Sequence, residues 1–310
     1  MTRVGVVDLG TNSTRLLVAD VEDGAVREVE RRLTITRLGE GVDERRILLP
    51  TALARVRNTL SGYRRELEAH GVERTLAVAT SAVRDAENGE AFLGEVEWSY
   101  GFATRLLSGD EEAQLTYGGV AAGRELPAGT MVVDVGGGST ELVLAGWHRS
   151  VDLGCVRLTE RFLHGDPPAP RELAACREHI RRLLPSEPEP AYAVGVAGTV
   201  TTLAVLSLGL AEEDADLVHG HRLETGWIAE EVERLAALPV AARRELRGVH
   251  PDRAPVIVAG GLVLVETLRR YGLEELEVSE HDLLHGAALA AAELPEPVEG
   301  AAPPGAHTCC

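Results

Sequence analysis

Two short apolar runs flank a polar, glycine-bearing turn near the start of the chain, and the same pattern returns near its middle. Residues 6–18 spell VVDLGTNSTRLLV and residues 132–144 spell VVDVGGGSTELVL, an offset of 126. In each copy the apolar run stops at an aspartate, Asp8 or Asp134, crosses a turn and resumes, which predicts strand, glycine turn, strand. Gly10 lies over Gly136, Ser13-Thr14 over Ser139-Thr140 and Leu16 over Leu142, while Arg15 is reversed in charge against Glu141. So long a match at one offset predicts two related lobes, each opening with the same hairpin.

Between and after the hairpins, apolar spacing alternates between strand and helix. Leu53, Val56, Leu60 and Leu67 predict a helix over Leu53–Ala69, and Thr75–Ala79 a buried strand feeding a short helix that carries Arg84 in its first turn, capped by Thr80 or Ser81. Ala103–Leu107 is a strand, followed by a helix whose Ser108 and Glu111 form a capping box. That gives Glu111 a structural task, whereas Glu112 projects about 100° further round the helix and has none. In the second half, helices are expected near RLTERFLHG, over about 171–184 and over Ile228–Leu246, with strands near 150–156 and at Tyr192–Ala197. The run PVIVAGG is expected to be a fourth strand ending at Gly260-Gly261 and opening a helix. Strand–helix alternation makes the fold class α/β. The lobes are placed at 1–122 and 130–294, joined across GRELPAG, with a last helix at about 280–293 able to pack back on the first lobe and a disordered tail over 295–310.

Composition narrows the partners. The formal charge of −18 argues against non-specific nucleic-acid binding and requires any polyanion site to be a local arginine cluster. All 31 basic residues are arginine, which excludes a Walker-type lysine loop and Schiff-base chemistry. Cys155, Cys176, Cys309 and Cys310 show no metal-site spacing, and no apolar run is long enough to span a membrane, so a reduced cytoplasmic protein without membrane attachment is expected. His219 and His221, two residues apart, are expected to be exposed imidazoles in a turn rather than metal ligands.

The chemistry that these turns support is phosphoryl transfer. Gly136, Gly137 and Gly138 expose amides to a phosphate, with Ser139 and Thr140 adding hydroxyls, and Gly198 and Thr199 offer a further amide-and-hydroxyl pocket at a helix start. Asp8, Asp134 and Glu141 are candidates to hold a divalent cation, Glu112 to activate a water, and Arg84 and Arg15 to neutralise phosphate oxygens. Glycine turns at Gly10, Gly136, Gly198 and Gly260 would line a cleft between the lobes.

In order along the chain, VVDLGTNSTRLLV, TSAVRDAENG, SGDEEA, VVDVGGGSTELV, LGCVRLTERF and GVAGTVTTLA resemble the motifs of the exopolyphosphatase/guanosine pentaphosphate phosphohydrolase (Ppx/GppA) family over roughly residues 3–292. The resemblance implies a duplicated ribonuclease-H-like fold, the actin-like architecture shared with sugar kinases and Hsp70-type ATPases. It implies Mg²⁺-dependent (or Mn²⁺-dependent) hydrolysis of terminal phosphoanhydride bonds of polyphosphate, with a monovalent cation as a further candidate and a homodimer as the expected assembly. Carried over by position, Glu112 is the catalytic carboxylate and Asp134 and Glu141 are the acids of the metal and water site. Asp8, Asn12, Ser13, Arg84, Gly137, Gly138, Ser139 and Thr199 fall on the phosphate and metal loops, with Thr14 beside them.

Two alternatives stand next to polyphosphate hydrolysis: a 5′-phosphohydrolase of pppGpp, which needs an apolar slot for the purine near Gly260-Gly261, and an ATP-binding conformational protein of the actin/Hsp70 type. The sequence departs from the family where SEHDLLHG carries Leu284 and His285 in place of an Arg and a Glu, so a substrate-side cation is expected to be missing there. Longer members carry extra C-terminal helical domains, and at 310 residues a short-chain or nucleotide-linked substrate gains weight beside long polyphosphate.

Overall fold

The structure, a computed structural model, describes residues 1–295. The predicted tail, with Cys309 and Cys310, lies outside the described residues but for its first position. The chain divides into two compact units, Met1–Arg124 together with the segment from Leu283, and Glu125–Asp282. Among the described residues no helix is long and apolar enough to cross a membrane.

In the first unit the strands are β1 (Thr2–Leu9), β2 (Ser13–Glu22), β3 (Ala25–Ile35), β4 (Arg74–Ala79) and β5 (Ala103–Leu106). The helices are α1 (Val42–Arg45), α2 (Pro50–Ala69), α3 (Ser81–Asp85), α4 (Gly89–Tyr100) and α5 (Gly109–Ala121). In the second the strands are β6 (Thr130–Val135), β7 (Thr140–Leu144), β8 (Trp147–Val151), β9 (Tyr192–Val196), β10 (Arg222–Glu224) and β11 (Glu275–Val278). Its helices are α6 (Cys155–Phe162), α7 (Pro170–Leu183), α8 (Ala197–Ser207), α9 (Ala215–Val218), α10 (Thr225–Ala236), α11 (Val240–Arg244) and α12 (Ile257–Arg270). The last helix, α13 (Leu283–Ala292), returns to the first unit.

The duplication is visible in the sheets. The first runs β3-β2-β1-β4-β5 and the second β10-β11-β9-β6-β7-β8. In the first, β1–β2 and β2–β3 are antiparallel while β1–β4 and β4–β5 are parallel. In the second, β6–β7 and β7–β8 are antiparallel while β6–β9 and β9–β11 are parallel, with β10 added at the edge. This is one ribonuclease-H-like order used twice, the duplicated actin-like architecture.

Side chains alternate across each strand, so a central strand covered on both faces must be apolar throughout. In β1, Val7 and Leu9 join Leu16 and Val18 against Val56, Leu60 and Phe92 of α2 and α4. Val4 and Val6 face the other way and meet Leu17, Leu283, Leu284 and Ala287. Helix α13 therefore closes the second face of the first sheet. A Cβ at Gly286 would stand 1.9 Å from the Leu115 carbonyl oxygen, so only glycine lets α13 lie directly on α5.

Three sequence expectations need correction. PVIVAGG is not a strand: residues 257–270 form α12, because a run buried on all sides carries no periodicity that separates helix from strand. The helix expected over Ile228–Leu246 is broken into α10 and α11 at Leu238-Pro239, since Pro239 caps the second piece with extended backbone. The strand expected near 150–156 is β8 at Trp147–Val151, and Cys155 and Val156 already belong to α6. Leu284, fully buried, and His285, 1% exposed, lie in α13.

Candidate functional site

In the second unit the triglycine turn between β6 and β7 is pinned from behind. The Gly136 carbonyl accepts from Cys155 N (3.0 Å), and the Gly137 carbonyl accepts from Val156 N (2.9 Å) and Arg157 N (3.2 Å). The Gly138 carbonyl accepts from Arg157 Nε at 2.7 Å. These donors are the first turn of α6, where N–H groups and the positive end of the helix dipole are available. In a trans peptide the N–H is directed opposite to the C=O. With three successive carbonyls turned onto α6, the amides of Gly137, Gly138 and Ser139 are turned to the other side, a row of donors suited to phosphate oxygens. Gly154 makes the approach possible: a Cβ there would stand 2.2 Å from the Gly137 carbonyl oxygen.

Asp134 and Glu141 are directly opposed across β6 and β7, and they are 7% and 1% exposed. Ser150 Oγ donates to Glu141 Oε1 at 2.7 Å. Like charges in register repel one another, a repulsion that a divalent cation between them would relieve. Among the described residues no group of three or more His, Cys, Asp or Glu gathers at a metal-binding spacing. The chemistry of the pair suits Mg²⁺, which takes one or two carboxylates and completes its shell with water and substrate phosphates.

The matching pair in the first unit is neutral. Asp8 and Arg15 are opposed across β1 and β2, and Arg15 Nε and Nη2 each stand 2.8 Å from Asp8 Oδ2. Here the charge reversal seen in the sequence becomes an ion pair. Asp8, an expected metal ligand, and Arg15, an expected phosphate ligand, are thus engaged with each other. The turn that follows, with Asn12 and Ser13 half-buried, has its carbonyls held as well: the Thr11 carbonyl accepts from Gly39 N (2.8 Å), and that of Asn12 accepts from Thr36 N (3.1 Å) and Arg37 N (2.8 Å).

Thr14 and Thr140 leave the phosphate set. Each is fully buried; Thr140 Oγ1 donates to the Leu153 carbonyl at 2.5 Å and Thr14 Oγ1 shares a hydrogen bond with Thr36 Oγ1 at 2.9 Å. They are the second hydroxyl of each ST pair, and strand alternation turns them inward.

The capping box at the start of α5 forms: Ser108 Oγ accepts from Glu111 N, and Glu111 Oε2 accepts from Ser108 N at 2.9 Å. Those bonds and the one to Arg105 bring the Glu111 carboxyl down from 4.5 to about 2. Glu112, on the neighbouring face, is 7% exposed, and Arg84 Nη1 stands 3.3 Å from its Oε2 while donating to the Leu107 carbonyl at 2.7 Å. Arg84 lies in the last turn of α3, which is only five residues long, and Thr80 offers no side-chain cap. The arginine and the acid are brought together, and the guanidinium fixes the carboxylate's orientation.

At the start of α8, Ala197 takes a left-handed conformation (φ 69°) as β9 turns into the helix. Thr199 is 6% exposed, beneath α12, where a Cβ at Gly260 would stand 2.3 Å from Thr199 Oγ1. A Cβ at Gly261 would stand 2.4 Å from Val232. These two glycines serve helix packing. The sequence reading missed Arg253, whose Nη1 lies 3.1 Å from Thr202 Oγ1 and 3.3 Å from both the Gly198 carbonyl and Glu213 Oε2. It also missed Arg157. The sequence signal for Arg253 is an arginine just before an apolar run, which the expectation of a strand there hides. His219 is half-buried, its ring 4.8 Å from that of His281, and His221 bonds Ser207 Oγ at 3.1 Å, so the pair is built into packing rather than exposed.

Known proteins agree on one kinship. The Ppx/GppA phosphatase family matches residues 17–293. Exopolyphosphatase 2 of Mycobacterium tuberculosis is 41% identical, covering 94% of this chain and 99% of its own. Exopolyphosphatase 1 of Mycobacterium bovis is 32% identical over 93% of this chain and 87% of its own. The crystal structure of the Aquifex aeolicus Ppx/GppA family member superposes with a TM-score of 0.78 at 31% identity, covering 94% of this chain and 97% of that one.

Proposed function

The chain belongs to the Ppx/GppA phosphatase family, and from that premise we propose that it is a Mg²⁺-dependent exopolyphosphatase, releasing orthophosphate from the ends of inorganic polyphosphate. The hydrolase class follows from the family. The observation that carries the finer reading is the second unit's turn: three amides directed away from α6, next to the opposed Asp134 and Glu141.

In this reaction a water oxygen forms a bond to the terminal phosphorus, the bridging P–O bond breaks, and the shortened polyphosphate leaves with the electron pair. Glu112 takes the proton of the attacking water, a role worth about 10²–10⁴ in rate. Arg84 holds Glu112 in orientation, and the amides of Gly137, Gly138 and Ser139 bind phosphate oxygens where charge is spread in the transition state. Asp134 and Glu141 would hold Mg²⁺, which when bound neutralises phosphate charge and orients the phosphoryl group. At the corresponding place in the first unit, Arg15 is ion-paired with Asp8, so that position adds no second acidic pair beside the phosphate. The homodimer remains part of the proposal on family resemblance alone.

The test is Glu112→Gln, which keeps the shape and removes the proton acceptor. Phosphate release from tripolyphosphate should fall by about 10²-fold or more while calorimetric tripolyphosphate binding stays within a few-fold of wild type. A variant that hydrolyses at the wild-type rate removes Glu112 from the mechanism.

A further inference from the structure

We propose that Arg55, on α2, is a positioning residue for the first unit's phosphate turn, acting on substrate only through the strap at residues 36–40. The proposal rests on the phosphohydrolase reading above. Arg55 Nε donates to the Thr36 carbonyl at 2.6 Å. Its Nη2 reaches the Arg37 carbonyl at 3.2 Å and Glu40 Oε2 at 2.8 Å. The Thr36 carbonyl and the Arg37 N–H belong to one peptide group, and that N–H donates to the Asn12 carbonyl at 2.8 Å. A continuous relay therefore runs from guanidinium to peptide to phosphate turn, and each bond in such a chain polarises the next.

The strap contains one strained residue. Arg37 adopts φ 49°, a left-handed conformation that is uncommon for a residue with a Cβ. Such positions persist where surrounding contacts over-determine them, and Arg55 provides two of those contacts. Further along, Gly39 N donates to the Thr11 carbonyl, so the strap holds both carbonyls of the turn. With those carbonyls fixed, the amides of Asn12 and Ser13 are turned the other way, as in the second unit. Arg55 side-chain exposure is 39%, so its loss opens no core cavity.

The experiment measures steady-state tripolyphosphate hydrolysis by wild type, Arg55→Met and Arg55→Lys, with thermal melts of each. A loosened turn binds phosphate less well in ground and transition state alike, which raises KM and leaves kcat nearly unchanged. Arg55→Met should raise KM about fivefold, with kcat within twofold and the melting temperature within a few degrees. Arg55→Lys, with one ammonium for three acceptors, should raise KM about twofold. A merely structural role would lower the active fraction, so kcat and melting temperature would fall together at constant KM, and that result overturns the proposal. So does an unchanged KM in both variants, with the phosphohydrolase reading left standing. A wild type inactive on polyphosphate removes the reading itself and the role of Arg55 with it.

Discussion

Gly154→Ala is the substitution whose effect follows most directly from the geometry. The added Cβ would stand 2.2 Å from the Gly137 carbonyl oxygen and 2.3 Å from the carbonyl carbons of Gly137 and Gly138. All three are backbone atoms, so no rotamer change relieves the contact. Restoring ordinary van der Waals distance requires the Gly137–Gly138 peptide and α6 to separate by roughly 1.2 Å, and a displacement of that order at a reacting group costs about 10²-fold in rate. The same separation strains four hydrogen bonds from the α6 start to the turn, and overpacking of this kind destabilises by about 1–3 kcal/mol. In a colorimetric phosphate assay on tripolyphosphate, kcat/KM should fall about 10²-fold, while circular dichroism at 25 °C still shows a folded chain. A folded Gly154→Ala enzyme with kcat/KM within twofold of wild type would refute the claim that α6 and the turn act as one rigid unit.

Other expectations follow from single contacts. Ser150→Ala frees the Glu141 oxygen that Ser150 orients and should raise the Mg²⁺ concentration for half-maximal activity about tenfold; an unchanged Mg²⁺ titration would separate Glu141 from the metal. The Glu111 carboxyl is lowered from 4.5 to about 2, so its contribution to stability is complete above the unfolded value and drains away as pH falls through that window. The melting temperatures of wild type and Glu111→Gln should therefore differ at pH 6 and converge near pH 2; a pH-independent difference would contradict this. Gly62 lies inside α2 with open space around its Cβ direction, and Gly62→Ala should stabilise by about 0.5–1 kcal/mol, read as a small rise in melting temperature. Cys155 and Cys176 are buried, with thiols pushed up to about 12, and mapping after maleimide treatment of the native protein should find both unmodified.

What the sequence made legible was whatever local periodicity and repetition encode. The 126-residue offset between the hairpins predicted a duplication, and the two sheets have corresponding strand orders. The capping box separates Glu111 from Glu112 in the sequence itself, because a cap is a local device. Non-local contacts were out of reach. PVIVAGG opens α12, which is enclosed by α8, α10 and the sheet, an environment that leaves no polar face to mark the helical period. Leu284 is a core residue because α13 returns across the first sheet, a packing that no local pattern announces. Arg157 reaches its turn, and Arg55 the strap behind the other turn, through carbonyls far along the chain, and no spacing announces such a bond. The charge reversal between Arg15 and Glu141 was legible, but its consequence, a neutral pair in one unit and an acidic pair in the other, needed the strand register.

The most direct test of the account is phosphate release by the wild-type chain over polyphosphates of several lengths, pppGpp and ATP, each with and without Mg²⁺. The account predicts orthophosphate from polyphosphate only when Mg²⁺ is present, at rates above those for pppGpp and ATP. Release from pppGpp alone would transfer the same machinery to a nucleotide substrate. Release from neither, together with ATP binding, would contradict the account and leave a nucleotide-binding protein.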